Sequence, residues 1–154
     1  MRLLERLFRF GATPVLAVLL LAGPLCAAKD EAPTPKDYGV YVKTESKLVR
    51  ILPNVVFDAR IPYLESNNPR RFPLNEFGYF ILYGKYDMRF LTLNSLTLAG
   101  QSPLGRPRFM FGKETDVEVK KRGEGLYTVK PKGLFGRGYY ALWINDSAWD
   151  IVIE

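Results

Sequence analysis

DVEVKKRGEGLYTVKPKGLFGRGYYALWINDSAWDIVIE, from Asp116 to Glu154, is the stretch that decides the fold. It divides into short β-rich runs separated by Gly, Pro, Asn and Asp, the residues that supply turns. Asp116–Lys121 and Gly125–Lys130 pair across Arg122-Gly123-Glu124, with Val119 against Tyr127, Val117 against Val129, and Glu118 and Lys120 toward water. Pro131 has no N–H to give a ladder, so that strand ends there or lies at an edge. Tyr139–Ile144 and Ala148–Ile153 then make the closing hairpin, and its register assigns the faces, because a slip of one residue exchanges them. An even-numbered turn puts Tyr140, Leu142 and Ile144 on one face with Trp149, Ile151 and Ile153. The other face carries Tyr139, Ala141, Trp143, Asp150, Val152 and Glu154. An odd turn would set Leu142 opposite Asp150, so the even turn is preferred, with Trp149 in the core and Trp143 partly exposed beside Tyr139 and two acids.

Upstream, the same signals recur. Tyr38–Lys43 and Lys47–Leu52 read as a first hairpin across Thr44-Glu45-Ser46, and Pro53-Asn54 breaks the pattern before Val55–Phe57. Asp58–Phe72 reads as a long loop with a short strand near Ile61–Leu64. Phe77–Tyr83 and Tyr86–Leu93 read as a hairpin closed by Gly84-Lys85, a Gly-first two-residue loop. Its core face would be Phe77, Tyr79, Ile81, Tyr83, Tyr86, Met88 and Phe90. Asn94–Gly112, with its prolines and glycines, reads as loop, with strand at Leu96–Leu98 or Phe109–Phe111. No helical periodicity follows the N-terminal segment. The expected fold is all-β, a single immunoglobulin-like β-sandwich of about seven to nine antiparallel strands, with a small β-barrel as the alternative.

The chain of 154 residues has room for one domain, and part of it is a targeting segment. Arg2, Arg6 and Arg9 precede an apolar run, Val15–Leu21, and then Gly23-Pro24-Leu25-Cys26-Ala27-Ala28 before a switch to charge. These are the three parts of a secretory signal peptide, cleaved after Ala28. Lipidation at Cys26 is opposed by the bulk of Leu25, and an uncleaved membrane anchor by Pro14 and Pro24. The division expected is therefore signal peptide 1–28, disordered tether 29–37 and β-sandwich 38–154. Membrane contact would come only through an uncleaved signal segment. Removing 1–28 takes away Cys26, the one cysteine, and leaves a mild basic excess. A cysteine-free exported domain suits a bacterial periplasmic or secreted location better than a disulfide-dense module.

With no histidine anywhere and no cysteine after cleavage, His-based triads, thiol nucleophiles and ordinary zinc sites are excluded. Neither catalytic residues, nor a metal site, nor a cofactor is expected. A carboxylate pair of the glycosidase kind needs two acids at a working separation, and Asp58, Glu65, Glu76 and Asp87 are the acids near the central elements. The glycines from Gly133 to Gly138 precede a β-run rather than a helix, so they make a turn, not a phosphate cradle. Asn145-Asp146-Ser147 matches a glycosylation sequon but serves equally as a hairpin turn. Arg70, Arg71, Arg106 and Arg108 are the basic residues best suited to an anionic partner, and export argues against nucleic acid. Aromatic residues make up 14% of the chain, enough for some to lie outside the core, and Trp143 and Tyr139 are the candidates for stacking on a sugar ring.

Tyr127-Thr128-Val129-Lys130-Pro131, then Leu134, then Gly138-Tyr139-Tyr140-Ala141-Leu142 resembles a pattern in uncharacterised exported bacterial proteins. There a Y-x-V-x-P strand leads through a Leu-containing loop to a G-x-Y-A-L strand. The resemblance implies a cell-envelope setting and an immunoglobulin-like closing hairpin, and implies no activity. The expectation is a non-enzymatic binding or accessory module contacting an envelope protein or an anionic polymer. The alternatives are a carbohydrate-binding module using exposed Tyr and Trp, and a carboxylate-only glycoside hydrolase.

Overall fold

A computed structural model describes residues 32–66 and 68–154. The expected signal peptide 1–28 and the start of the expected tether lie outside the described residues. Apart from a single 3-10 turn at Met88–Phe90, the described elements are strands. Five of them form one antiparallel sheet: β1 (Gly39–Thr44), β2 (Leu48–Ile51), β6 (Phe77–Tyr83), β9 (Val117–Gly123) and β10 (Leu126–Pro131), in the order β2-β1-β6-β10-β9.

The second sheet is built from three hairpins. They are β3 (Asn54–Phe57) with β4 (Tyr63–Glu65), β7 (Thr92–Gln101) with β8 (Pro107–Glu114), and β11 (Gly138–Ile144) with β12 (Ser147–Ile153). Its order β11-β7-β8-β4-β3-β12 is closed by the β11–β12 pairing, so these six strands make a small antiparallel barrel. The short strand β5 (Arg70–Phe72) lies parallel to the end of β12. The fold is all-β, as expected, and it combines the sandwich and the barrel: an open sheet lies on the wall of a closed one. Its twelve described strands exceed the expected seven to nine because the loop regions contribute β4, β5 and the long β7–β8 hairpin.

The main core fills the space between the open sheet and the barrel. Val40, Val42, Phe80, Leu82 and Val129 come from the sheet, and Leu93, Leu142, Ile144, Trp149, Ile151 and Ile153 from the barrel wall. Each large apolar side chain withdrawn from water here contributes about 1.5–3 kcal/mol. The Trp149 ring is 5% exposed and meets Tyr86 edge-on, with ring centroids 5.7 Å apart. The barrel has its own interior of Val56, Leu64, Leu96, Phe109, Ala141 and Ala148, with Phe111 and Trp143 half-buried against it. Six strands enclose only enough space for side chains, which fill it.

The closing hairpin has the even register, with Leu142 opposite Trp149 and Tyr140 opposite Ile151. Its two-residue turn places Asn145 at φ 53, a left-handed conformation that asparagine tolerates. Trp149 is core and Trp143 half-buried, as the register predicts.

Other expectations are corrected. Phe77–Tyr83 does not return on itself through Gly84-Lys85. Both edges of β6 are taken, by β1 and β10, and the chain crosses to the barrel through the Asp87-capped 3-10 turn. The Gly84 N–H instead donates to the Gly125 carbonyl at 2.9 Å. Of the expected core face, Phe77, Tyr86 and Met88 do pack against the main core, but Phe90 is exposed and the face is reversed over Tyr79–Tyr83. Phe80 and Leu82 point into the main core, while Ile81, Tyr79 and Tyr83 pack with Tyr41 and Leu126 on the opposite side. Every residue of this strand but Gly78 is apolar or aromatic, so alternation carries no information about which face is inward. In Asn94–Gly112 both Leu96–Leu98 and Phe109–Phe111 are strand, and the strand runs well beyond them: the segment forms most of the β7–β8 hairpin around a turn at Ser102–Arg106, where the Ser102 hydroxyl accepts from the Arg106 N–H at 3.1 Å. The β9–β10 pairing is offset by two residues from the expected register, with Val119 opposite Val129, which leaves the faces unchanged.

Candidate functional site

Strand β12 supplies the site because one of its edges changes partner partway along. Ser147 and Ala148 pair with Val55 and Asn54 of β3, and Ile151 to Ile153 pair with Arg70 to Phe72 of β5. Between them Trp149 and Asp150 have no strand neighbour on that edge. Two prolines enforce the gap. Pro53 sits just before β3 and Pro69 just before β5, and neither has an N–H with which to extend its strand alongside β12. The opening is a cleft of about 330 Å³, with Asp150, Asn54, Ser66, Asn68 and Arg70 as its polar lining and Leu52 among its apolar groups.

Asp150 belongs to the inward face of the barrel, opposite Ala141, and is 4% exposed. The Asn54 side-chain amide donates to Asp150 Oδ1. Asp150 Oδ2 is buried and has no hydrogen-bond partner among the described residues. Burial pushes the carboxyl above the usual aspartate range, against the opposing hydrogen bonding from the buried Ser66 side chain, the backbone and Asn54. The Arg70 side chain lines the same cleft and makes no hydrogen bond or ion pair among the described residues. A buried carboxylate and a separate exposed guanidinium therefore line one small concavity. A buried polar atom without a well-formed hydrogen bond is uncommon in folded proteins.

The residues singled out from the sequence are dispersed. Arg70 lines the cleft. Arg71, its neighbour in β5, pairs with Glu154 at 2.6 Å, and that bond, followed by one to Tyr139, raises the Arg71 pKa. Tyr139 stacks on Phe109, with centroids 5.2 Å apart, at the same end of the barrel. Arg108 pairs with Glu65 at 3.0 Å and lies 4.9 Å from the Tyr63 ring, on the barrel's outer face. Arg106 is exposed in the β7–β8 turn; the adjoining Pro107 carbonyl accepts from the Ser66 N–H, so this turn runs beside the cleft.

Trp143 is not an open stacking surface. Its face of the hairpin lines the barrel, its ring stacks on Phe111 at 4.3 Å, and its indole N–H donates to the Asn145 carbonyl. Of the acids weighed as a catalytic pair, Glu65 is bound to Arg108 and Asp87 to Arg89. A second groove holds Glu114 and Asp116 beside Lys113 and Lys132, and all four side chains are exposed. No group of three or more potential metal-ligating side chains occurs among the described residues, and no described helix is long and apolar enough to cross a membrane.

Sequence reasoning passed over Asp150, Asn54, Ser66 and Asn68 as a site. The available signal was Asp150 itself, one acid inside Ala148-Trp149-Asp150-Ile151-Val152-Ile153. Apolar residues on both faces mark a strand buried on both faces, and a lone charge within it must be buried too. No family model, curated protein or solved structure matches this chain.

Proposed function

We propose that the chain is an exported binding module of the bacterial cell envelope whose ligand site is the Asp150 cleft in the barrel wall. The observation that carries this reading is the buried Asp150 carboxylate in the wall of the cleft, with Asn54, Ser66, Asn68 and Arg70 as the polar groups around it. A carboxyl group whose pKa is pushed up by burial and which lines a concavity is the kind of group that marks functional sites. Export is supported by the basic, apolar and small-residue pattern of residues 1–28, by the absence of cysteine from the remaining sequence, and by the resemblance in the closing strands. The module is read as non-enzymatic because Asp150 is the one carboxylate among the cleft-lining residues, where acid–base hydrolysis needs two.

The test uses the full chain expressed in bacteria with a C-terminal tag. Recovery from the periplasm at the mass of a species beginning at Lys29 is expected, and a full-length cytoplasmic product would overturn the export reading. The recovered, isotope-labelled protein is then titrated with peptide, glycan and lipid-headgroup fractions of envelope extract. Shifts confined to the side-chain amides of Asn54 and Asn68 are expected with at least one fraction. Shifts elsewhere only, or none, would overturn the binding site.

A further inference from the structure

The β7–β8 hairpin outruns the barrel wall. Its neighbours stop short of its end: β11 pairs with β7 only as far as Ser95, and β4 pairs with β8 only as far back as Arg108. Thr97, Leu98, Ala99, Gly100 and Gln101 are accordingly exposed on both faces of β7. The tip, Pro103-Leu104-Gly105, is exposed as well, with Leu104 at 80% and Leu98 behind it at 61%. This tip is a formed turn. The Ser102 N–H donates to the Arg106 carbonyl at 2.8 Å, the Gly105 N–H to the Ser102 carbonyl at 2.9 Å, and the Arg106 N–H to the Ser102 hydroxyl at 3.1 Å. A turn bonded in this way holds Leu104 out in water.

The charge on this hairpin has one sign. No acid occurs from Met88 to Lys113, and the hairpin's own charges are Arg106, Arg108 and Lys113. Glu65, across on β4, is taken up by Arg108 at 3.0 Å. The Arg106 side chain is exposed and makes no hydrogen bond or ion pair among the described residues. We infer that the hairpin tip docks on an anionic phospholipid surface, with Leu104 entering the boundary between headgroups and acyl chains and Arg106 meeting lipid phosphate. This contact is independent of the Asp150 cleft, and it is a membrane contact other than the signal segment. Three physical points select this partner. An apolar point with a cation just behind it matches the two layers of a membrane interface, apolar below and anionic above. An anionic polymer strand would engage the arginine and leave Leu104 in water. A second copy meeting tip to tip would set Arg106 against its own like charge. The guanidinium holds phosphate through two bonds, and its apolar stem lies along the same boundary.

The soluble protein recovered from expression of the full chain is sedimented with vesicles of phosphatidylglycerol and phosphatidylethanolamine, and separately with phosphatidylcholine vesicles. Binding to the anionic vesicles is expected, about fivefold weaker on phosphatidylcholine and weakened again as salt is raised to about 1 M. Leu104→Ser should lower binding about tenfold or more, and Arg106→Gln should lower it about fivefold, to the level seen on phosphatidylcholine. Leu104→Trp reads the tip directly, because Trp149 is buried and Trp143 is half-buried against the barrel interior. Its emission should shift to the blue with anionic vesicles and be quenched by brominated acyl chains, beyond any change in the parent protein. The three variants are checked for an unchanged fold by amide NMR.

Failure to sediment with anionic vesicles, Leu104→Ser binding as well as the parent, or a Leu104→Trp emission untouched by brominated lipid would each overturn the inference. Capture of an envelope protein by the hairpin without vesicle binding would overturn it too, and would assign the tip to a protein groove.

Discussion

Replacing Asp150 by asparagine is expected to stabilise the fold at neutral pH while weakening the cleft's binding. In the native protein Asp150 Oδ1 accepts from Asn54, and the buried Oδ2 makes no well-formed hydrogen bond, the Ser66 side chain being the other neighbour that eases the charge. Leaving a buried acceptor unmet costs about 1–3 kcal/mol, and more when the group is charged. Asparagine keeps the bond to Asn54 and removes the charge. It also introduces an N–H that must find an acceptor, for which the Ser66 hydroxyl lines the same cleft. The net gain is therefore about 1–2 kcal/mol at pH 7, or roughly 3–6 °C in melting temperature for a domain of this size.

The pH dependence has a definite sign. Burial raises the folded-state pKa above the unfolded value of about 3.9, so the folded protein holds this proton more tightly than the unfolded chain. The group's favourable contribution is complete below the unfolded pKa and is lost as pH rises through the raised folded value. The variant lacks that loss, so its advantage is small at pH 4 and grows toward pH 7. Urea unfolding of both proteins at the two pH values, followed by tryptophan fluorescence, measures the difference. An asparagine variant more than about 1 kcal/mol less stable at pH 7, or an advantage that does not change with pH, would show that the carboxylate is satisfied as it stands.

Two further outcomes bear on how the sheet and barrel are held. Gly125→Ala should destabilise by about 1–3 kcal/mol in the same urea assay, because φ is 63° and an added Cβ would meet the Gly84 carbonyl oxygen at 3.0 Å; a neutral result would mean that the β6–β10 end opens freely. A double-mutant cycle on Phe111 and Trp143, whose rings stack at 4.3 Å and 22°, should give a coupling of about 0.5–1.5 kcal/mol. A coupling near zero would return Trp143 to the role of an open surface residue.

The sandwich and the barrel differ in what closes them, and that difference shapes the site. An open sheet presents a face to its partner, whereas a six-stranded ring has no room for a ligand inside. The only way into such a wall is a place where a strand loses its neighbour. Here β12 is long enough to outlast β3, and β5 resumes the edge after two unpaired residues. The cleft is therefore an interruption of the wall, and the buried acid of the closing strand lies at that interruption.

Local chemistry made several elements legible from the chain. The hairpins β1–β2, β9–β10 and β11–β12 follow from turn residues between β-rich runs. The even register of the closing hairpin follows from its two-residue turn, since only that register keeps Leu142 away from Asp150. Pro53 and Pro69 are equally visible as breakers, but as breaks in two separate strands. That both fall on one edge of β12, and so frame a cleft, depends on contacts between residues far apart in the chain. The inward face of β6 was hidden for a related reason: when nearly every residue is apolar, the partner sheet decides which side is core. Trp143 and Tyr139 share a face by local alternation, yet whether that face meets solvent or the inside of a barrel is decided by the closure of β11 onto β7 and β12. Strand identity and turn geometry are set within a few residues; burial, ring closure and the charge left in the cleft arise only when distant strands meet.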